Sequence, residues 1–131
     1  MTAFRIHRRT PLPAAEAWHR LTDWPRHAAH VPLTTITVTP SGFVARTGIG
    51  RLAFDDPMEI VSWAPPTHCR LEKRGTFVTG WAEIDVRASG NGSEVTWTED
   101  LRLRLLPSFL DRPTAWAGRR MFGRAIQGLL A

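Results

Sequence analysis

Glu99 stands in the most chemically informative surroundings of any ionisable residue in this chain. Val95, Trp97, Leu101 and Leu103 alternate with polar residues at a period of two, the pattern of a strand with one buried face, and Glu99 falls on the same parity. A carboxylate on an apolar face needs either a partner or room for a ligand or water. Left unpaired and dry, it is costly when ionised and takes up a proton instead. Three readings are open at this point: an acid–base group in a pocket, the partner of an arginine such as Arg46, or a solvated group near an opening.

Other reactive side chains make weaker patterns. His27 and His30 are three residues apart, the spacing of one helix face, but no third metal ligand is evident, so they read as surface histidines and no metal is expected. Cys69 has no base or helix N-terminus that can be placed beside it. It reads as a small buried hydrophobe, and as the single cysteine it rules out an internal disulfide. Tyrosine is absent. Gly48 and Gly50 lie within strand-like sequence and do not form a phosphate-binding loop. No cofactor is implied.

The chain has 131 residues and a formal charge of +5, with Lys73 as its only lysine among seventeen basic residues. A basic balance invites nucleic acid, yet the arginines are scattered among apolar and acidic neighbours, as on a solvated face, so nucleic acid is not the expected partner. No apolar run reaches membrane-spanning length, and no apolar segment follows the arginines at 5, 8 and 9 to make a signal peptide. A cytoplasmic location and one domain over residues 1–131 are expected.

The elements that must position these residues follow from periodicity. Residues 4–9 alternate as a first strand, with Phe4 and Ile6 inward. Pro13 suits the first turn of a short helix whose apolar side is Ala14, Ala17, Trp18 and Leu21, and Asp23 caps a second helix over residues 24–30. Strands are expected at 34–39, 43–47, 51–54, 58–63, 67–74, 78–88 and 93–105, with a bulge or edge kink at Asp55, Asp56 and Pro57. Residues 113–130 form the one long helix. Gly118, Met121, Phe122, Ala125, Ile126 and Leu129 mark its apolar face, Arg119, Arg120 and Arg124 its wet face, and Asp111 its cap; a kinked start nearer Pro107 is the alternative.

Two turns set the strand registers. A four-residue loop at 89–92 pairs Val86 with Val95, Ile84 with Trp97, Ala82 with Glu99, Gly80 with Leu101 and Val78 with Leu103. A two-residue turn at Gly75 and Thr76 would pair Lys73 with Val78, Leu71 with Gly80 and Cys69 with Ala82, leaving Lys73 to snorkel to the rim. Both registers put the apolar residues on one face, where Glu99 sits beside the small residues Ala82 and Cys69.

The order strand, two short helices, strands, long helix resembles the helix-grip fold of the START, Bet v 1 and polyketide cyclase superfamily. The resemblance is carried by residues 13–18 (Pro-Ala-Ala-Glu-Ala-Trp), by Leu21-Thr22-Asp23-Trp24, and by Val95-Thr96-Trp97-Thr98-Glu99. It implies an α+β fold in which a curved antiparallel sheet of six or seven strands wraps the C-terminal helix around a hydrophobic cavity. Cavity-lining residues are then expected to be Cys69, Leu71, Gly80, Ala82, Ile84, Trp97, Glu99, Leu101, Met121, Phe122 and Ala125, with Glu99 as the candidate catalytic group. The expected partner is an apolar, aromatic, polycyclic or lipid-like molecule. The alternatives are a cofactor-independent polyketide cyclase or dehydratase using the same cavity, and an interaction protein docking through the basic face of the long helix. Apolar walls favour binding, polar groups converging on Glu99 favour catalysis, and a filled core favours docking.

Overall fold

In the computed structural model, which describes residues 3–104 and 106–131, the alternating stretches become seven strands of one antiparallel sheet. They are β1 (Ala3–Thr10), β2 (Thr34–Thr39), β3 (Gly42–Thr47), β4 (Phe54–Ala64), β5 (His68–Arg74), β6 (Val78–Ser89) and β7 (Gly92–Leu103). Strands β2 to β7 run as a meander, and β1 closes the order beside β7. Two short helices, α1 (Ala14–Thr22) and α2 (Trp24–His27), join β1 to β2, and α3 (Asp111–Leu130) ends the chain. This is the helix-grip arrangement. Leu105, the expected last residue of β7, lies outside the described residues.

Each element follows from its local chemistry, with several adjustments. Phe4 and Ile6 are buried while Arg5 and His7 are exposed, as alternation requires. Pro13 sits at the N-cap of α1 and not in its first turn, and Ala17, Trp18 and Leu21 form the buried side. Helix α2 stops at His27, short of the expected residue 30. The amides of Ala28, Ala29 and His30 bond to carbonyls three residues back, so the helix tightens into turns. The strand expected over residues 51–54 is instead a 3₁₀ turn, Gly50–Leu52, and Gly50 at φ +56 turns the backbone out of the extended form. No kink falls at Asp55, Asp56 and Pro57: all three pair with β3, while the ladder to β5 begins only at Met58. Pro57 therefore has a neighbour strand on one side, where its missing N–H is tolerated. The irregularity in β4 comes later, between Ile60 and Ser62.

The β6–β7 register is the expected one at all five pairs. The β5–β6 register differs by two residues: Lys73 pairs with Gly80, Leu71 with Ala82 and Cys69 with Ile84. Arg74 and Thr79 form the last pair, so the connection holds four residues. Two of these are apolar and drawn inward: Val78 is buried, and Phe77 packs edge-on against Phe54 at 5.1 Å. A shift of two preserves parity, so the buried face is unchanged and only the neighbours along it differ.

Helix α3 starts at Asp111 behind a 3₁₀ turn, Ser108–Leu110, with Leu110 at the N-cap. Asp111 is thus in the first turn, where a carboxylate suits the helix dipole, and is not the cap. Gly118, Ala125, Ile126 and Leu129 are buried, whereas Arg119, Arg120 and Arg124 are exposed. A Cβ at Gly118 would meet Leu101 and the Phe4 ring at 3.1 Å, so the missing side chain lets the helix lie close to β1 and β7. One apolar cluster joins Ile6, Trp18, Leu21, Leu71, Ile84, Trp97, Ile126 and Leu129. Full burial of each such Leu or Ile stabilises by about 1.5–3 kcal/mol.

Candidate functional site

Between the sheet and α3 lies a cavity of about 400 Å³. Parity aims the inward side chains of β2 to β7 at it: Ile36, Phe43, Ala45, Phe54, Met58, Leu71, Trp97 and Leu101. Helix α3 contributes Thr114, Ala117, Gly118, Met121 and Phe122, of which Ala117 and Met121 also reach the surface. Trp97 and Phe122 stack at 6.0 Å, and Phe122 stacks on Phe4 at 6.2 Å, so the aromatic wall is held from behind.

Three charged groups meet in this wall. Glu99 is 1% exposed, and its Oε1 accepts a hydrogen bond from Trp97 Nε1 at 3.0 Å. Residues 97 and 99 are two apart on one strand, so both side chains leave the same face. Lys73 Nζ donates to Asp56 Oδ2 at 2.8 Å and lies 3.4 Å from Met58 Sδ. It approaches Glu99 Oε2 to 3.7 Å, an ion pair too long for a hydrogen bond. The lysine does not snorkel to the rim. The two-residue register shift sets it opposite Gly80, which has no side chain to separate it from Glu99. Arg46 is not the partner of Glu99: it lies on the outer parity and pairs with Asp55 at 3.0 Å.

The electrostatics follow from the unequal distances. Burial raises the Glu99 carboxyl above its ordinary value, and the Lys73 charge together with the Trp97 hydrogen bond offsets only part of that. Burial opposes the charge on Lys73 as well, but Glu99 and Asp56 outweigh it and hold the ammonium above its ordinary value. The lysine has two acidic neighbours, while the glutamate has one cation at longer range. Glu99 Oε2 and Asp56 Oδ1 are buried and have no hydrogen-bond partner among the described residues.

Of the residues expected to line the cavity, Leu71, Trp97, Glu99, Leu101, Met121 and Phe122 do so. Cys69, Gly80, Ala82, Ile84 and Ala125 are not part of its lining. Cys69, Ala82 and Ile84 have the inward parity and are fully buried, but that end of the sheet packs into the core with α1. Ala125 is likewise buried, one turn beyond Phe122. At Gly80, φ is +127 and a Cβ would fall 1.8 Å from the Asp100 carbonyl oxygen, so this glycine is set by a close approach to β7. Burial pushes the Cys69 thiol up to about 12, which leaves it unreactive.

Asp56, Lys73 and His27 are cavity residues that the sequence reading did not select. The signal for Asp56 was its parity with Phe54 and Met58. His27 carries no such signal: it is buried, not on the surface, because α2 tucks under Trp97, with ring centroids 5.8 Å apart. Its Nε2 donates to the Leu21 carbonyl at 2.7 Å, and burial holds it below the usual histidine value. Trp24, Trp63 and Trp116 are not lining residues. On the outer face, ligand atoms of His68, Glu83 and Asp85 lie within 4.8 Å of one another, but His68 pairs with Asp85 and Glu83 with Arg70. No helix among the described residues is long and apolar enough to cross a membrane.

Solved structures share this arrangement at low identity. A START superfamily protein from Mycobacterium smegmatis superposes with a TM-score of 0.79 and 11% identity, over 98% of this chain and 96% of that one. The Zhui aromatase/cyclase from Streptomyces sp. R1128 gives 0.73 and 13%, over 96% and 91%. TTHA0849 from Thermus thermophilus gives 0.74 and 12%, over 98% and 93%. At these identities the likeness is one of fold. No curated protein matches the chain in sequence. All of residues 1–131 match the family described as polyketide cyclase / dehydrase and lipid transport, and the chain belongs to that family.

Proposed function

We propose that this protein binds an apolar small molecule in the cavity between the sheet and α3. The observation that carries the reading is the cavity itself: about 400 Å³ of space walled by aliphatic and aromatic side chains, where a core would otherwise be filled. Titration with the neutral apolar fluorophore Nile red tests it. A saturable 1:1 blue shift is expected, and Ala45→Phe, which builds a ring into the cavity from β3, weakens binding at least tenfold while the fold is kept. Absence of saturable binding, or binding indifferent to Ala45→Phe, overturns the reading.

A second reading has its own observation. Polar groups converge on Glu99, which favours catalysis over passive storage. In an aldol cyclisation, the ionised Glu99 carboxylate would take a proton from a carbon flanked by carbonyls. The enolate carbon would then attack a second carbonyl, and the new alkoxide would recover the proton from Glu99, leaving no net change in the enzyme. The fold likeness to the Zhui aromatase/cyclase supports this reading without carrying it. Incubation with a linear poly-β-ketone thioester should give a cyclised product faster than buffer does, and Glu99→Gln should remove that acceleration. A filled core would have favoured docking through Arg119, Arg120 and Arg124, and the cavity supports the binding reading instead.

A further inference from the structure

We infer that the cavity selects a neutral apolar molecule carrying a hydroxyl at its buried end, and that it discriminates against molecules ending in a carboxylate. This rests on the cavity-binding reading above. Glu99 Oε2 and Asp56 Oδ1 both belong to lining residues, both are buried, and neither receives a hydrogen bond. Two buried carboxylate oxygens without protein donors are costly, and a ligand that donates a hydrogen bond relieves that cost.

The donor is not supplied from within the wall. Lys73 already gives one hydrogen to Asp56 Oδ2 and packs against Met58 Sδ, and its distance of 3.7 Å to Glu99 leaves that oxygen unbonded. Trp97 has a single N–H, and it is committed to Glu99 Oε1. The opposite wall is largely apolar, with Ile36, Phe43, Leu101 and Phe122, and suits a ring or chain, while the lining hydroxyls of Thr34, Thr47 and Thr114 reach neither oxygen.

Charge decides which donor and which head group. Two carboxyl groups face one ammonium, and among the described residues no arginine lines the cavity. An incoming carboxylate would bring a third negative group with no free cation to meet it. A ligand ammonium would have to lose its water beside Lys73, a like charge. A hydroxyl supplies one hydrogen to one oxygen without a net charge, and a site built around such a donor rejects the analogue that lacks it.

Four probes with one ring system test this: naphthalene, 2-naphthol, 2-naphthoate and 2-naphthylmethylammonium, followed by backbone amide shifts of the folded protein. The expected Kd of 2-naphthol is at least tenfold below that of naphthalene, with 2-naphthoate weakest. The hydroxyl preference should shrink at least threefold in Glu99→Gln, and independently in Asp56→Asn should the first variant fold poorly. If naphthalene or 2-naphthoate binds as well as 2-naphthol, or the ammonium binds best, the inference falls while the cavity reading stands. If neither Nile red nor any probe binds, the cavity reading falls and takes the inference with it.

Discussion

Lys73, opposite Gly80, and Glu99, opposite Ala82, approach each other diagonally across β6 with Nζ and Oε2 3.7 Å apart, and the lysine makes its short contact to Asp56 instead. The cation is shared, and the carboxylate farther from it keeps an unbonded oxygen in the cavity wall.

The pH dependence of stability should report that imbalance. The folded carboxyl of Glu99 lies above its ordinary value of 4.5, so the folded state holds the proton more tightly than the unfolded chain. Stability is lost as pH climbs past 4.5 and stops falling above the raised folded value. Glu99→Gln mimics the protonated group and lacks this loss. Unfolding free energies of the two proteins should be close at pH 4 and diverge in favour of the variant towards pH 8. Divergence in favour of the wild type would mean that Lys73 more than compensates the burial.

Removing the lysine should be severe. Lys73 is buried, and Lys73→Met leaves Asp56 and Glu99 in the wall with no cation, a change that costs about 3–5 kcal/mol. Its raised folded value means that its contribution is fully present below the ordinary 10.5 and is lost only as pH rises through the folded value, so pH 7 is a suitable condition. Adding Asp56→Asn and Glu99→Gln to Lys73→Met should recover much of the loss in denaturant titration. A single variant within about 1 kcal/mol of wild type would rule out the ionised cluster.

Gly80→Ala tests the backbone that brings the pair together. Alanine rarely adopts φ +127, and its Cβ would overlap the Asp100 carbonyl oxygen. A loss of at least about 2 kcal/mol is expected, against the roughly 0.5–1 kcal/mol gain that replacing a strand glycine by alanine gives when the conformation is compatible. Thermal unfolding distinguishes the two.

The arginines on the wet face of α3 should matter little to folding. Arg119, Arg120 and Arg124 are exposed, and changing all three to Gln should alter unfolding free energy by no more than about 1 kcal/mol. Nile red affinity should be unchanged as well, since none of them lines the cavity. A drop in affinity would move the binding site to the outer helix surface.

How much of this was legible beforehand differs between local and long-range features. The alternation in β1, β6 and β7, the three-and-four spacing in α3 and the loop at residues 89–92 act between near neighbours in the chain, so the element order, the buried parity of Glu99 and the β6–β7 register could be read from the residues alone. Boundaries were less secure, because the ends of α2 and α3 depend on which carbonyls remain free once the chain has turned. Cavity membership was decided only in three dimensions. Cys69, Ala82 and Ile84 share the parity of Leu71 and Trp97, yet α1 covers their end of the sheet and the other end stays open beneath α3. The partner of Glu99 was likewise a tertiary outcome: the turn that holds Phe77 and Val78 is two residues longer than expected, which left parity intact and set Lys73 within reach of Glu99, while the β4–β5 ladder set it beside Asp56.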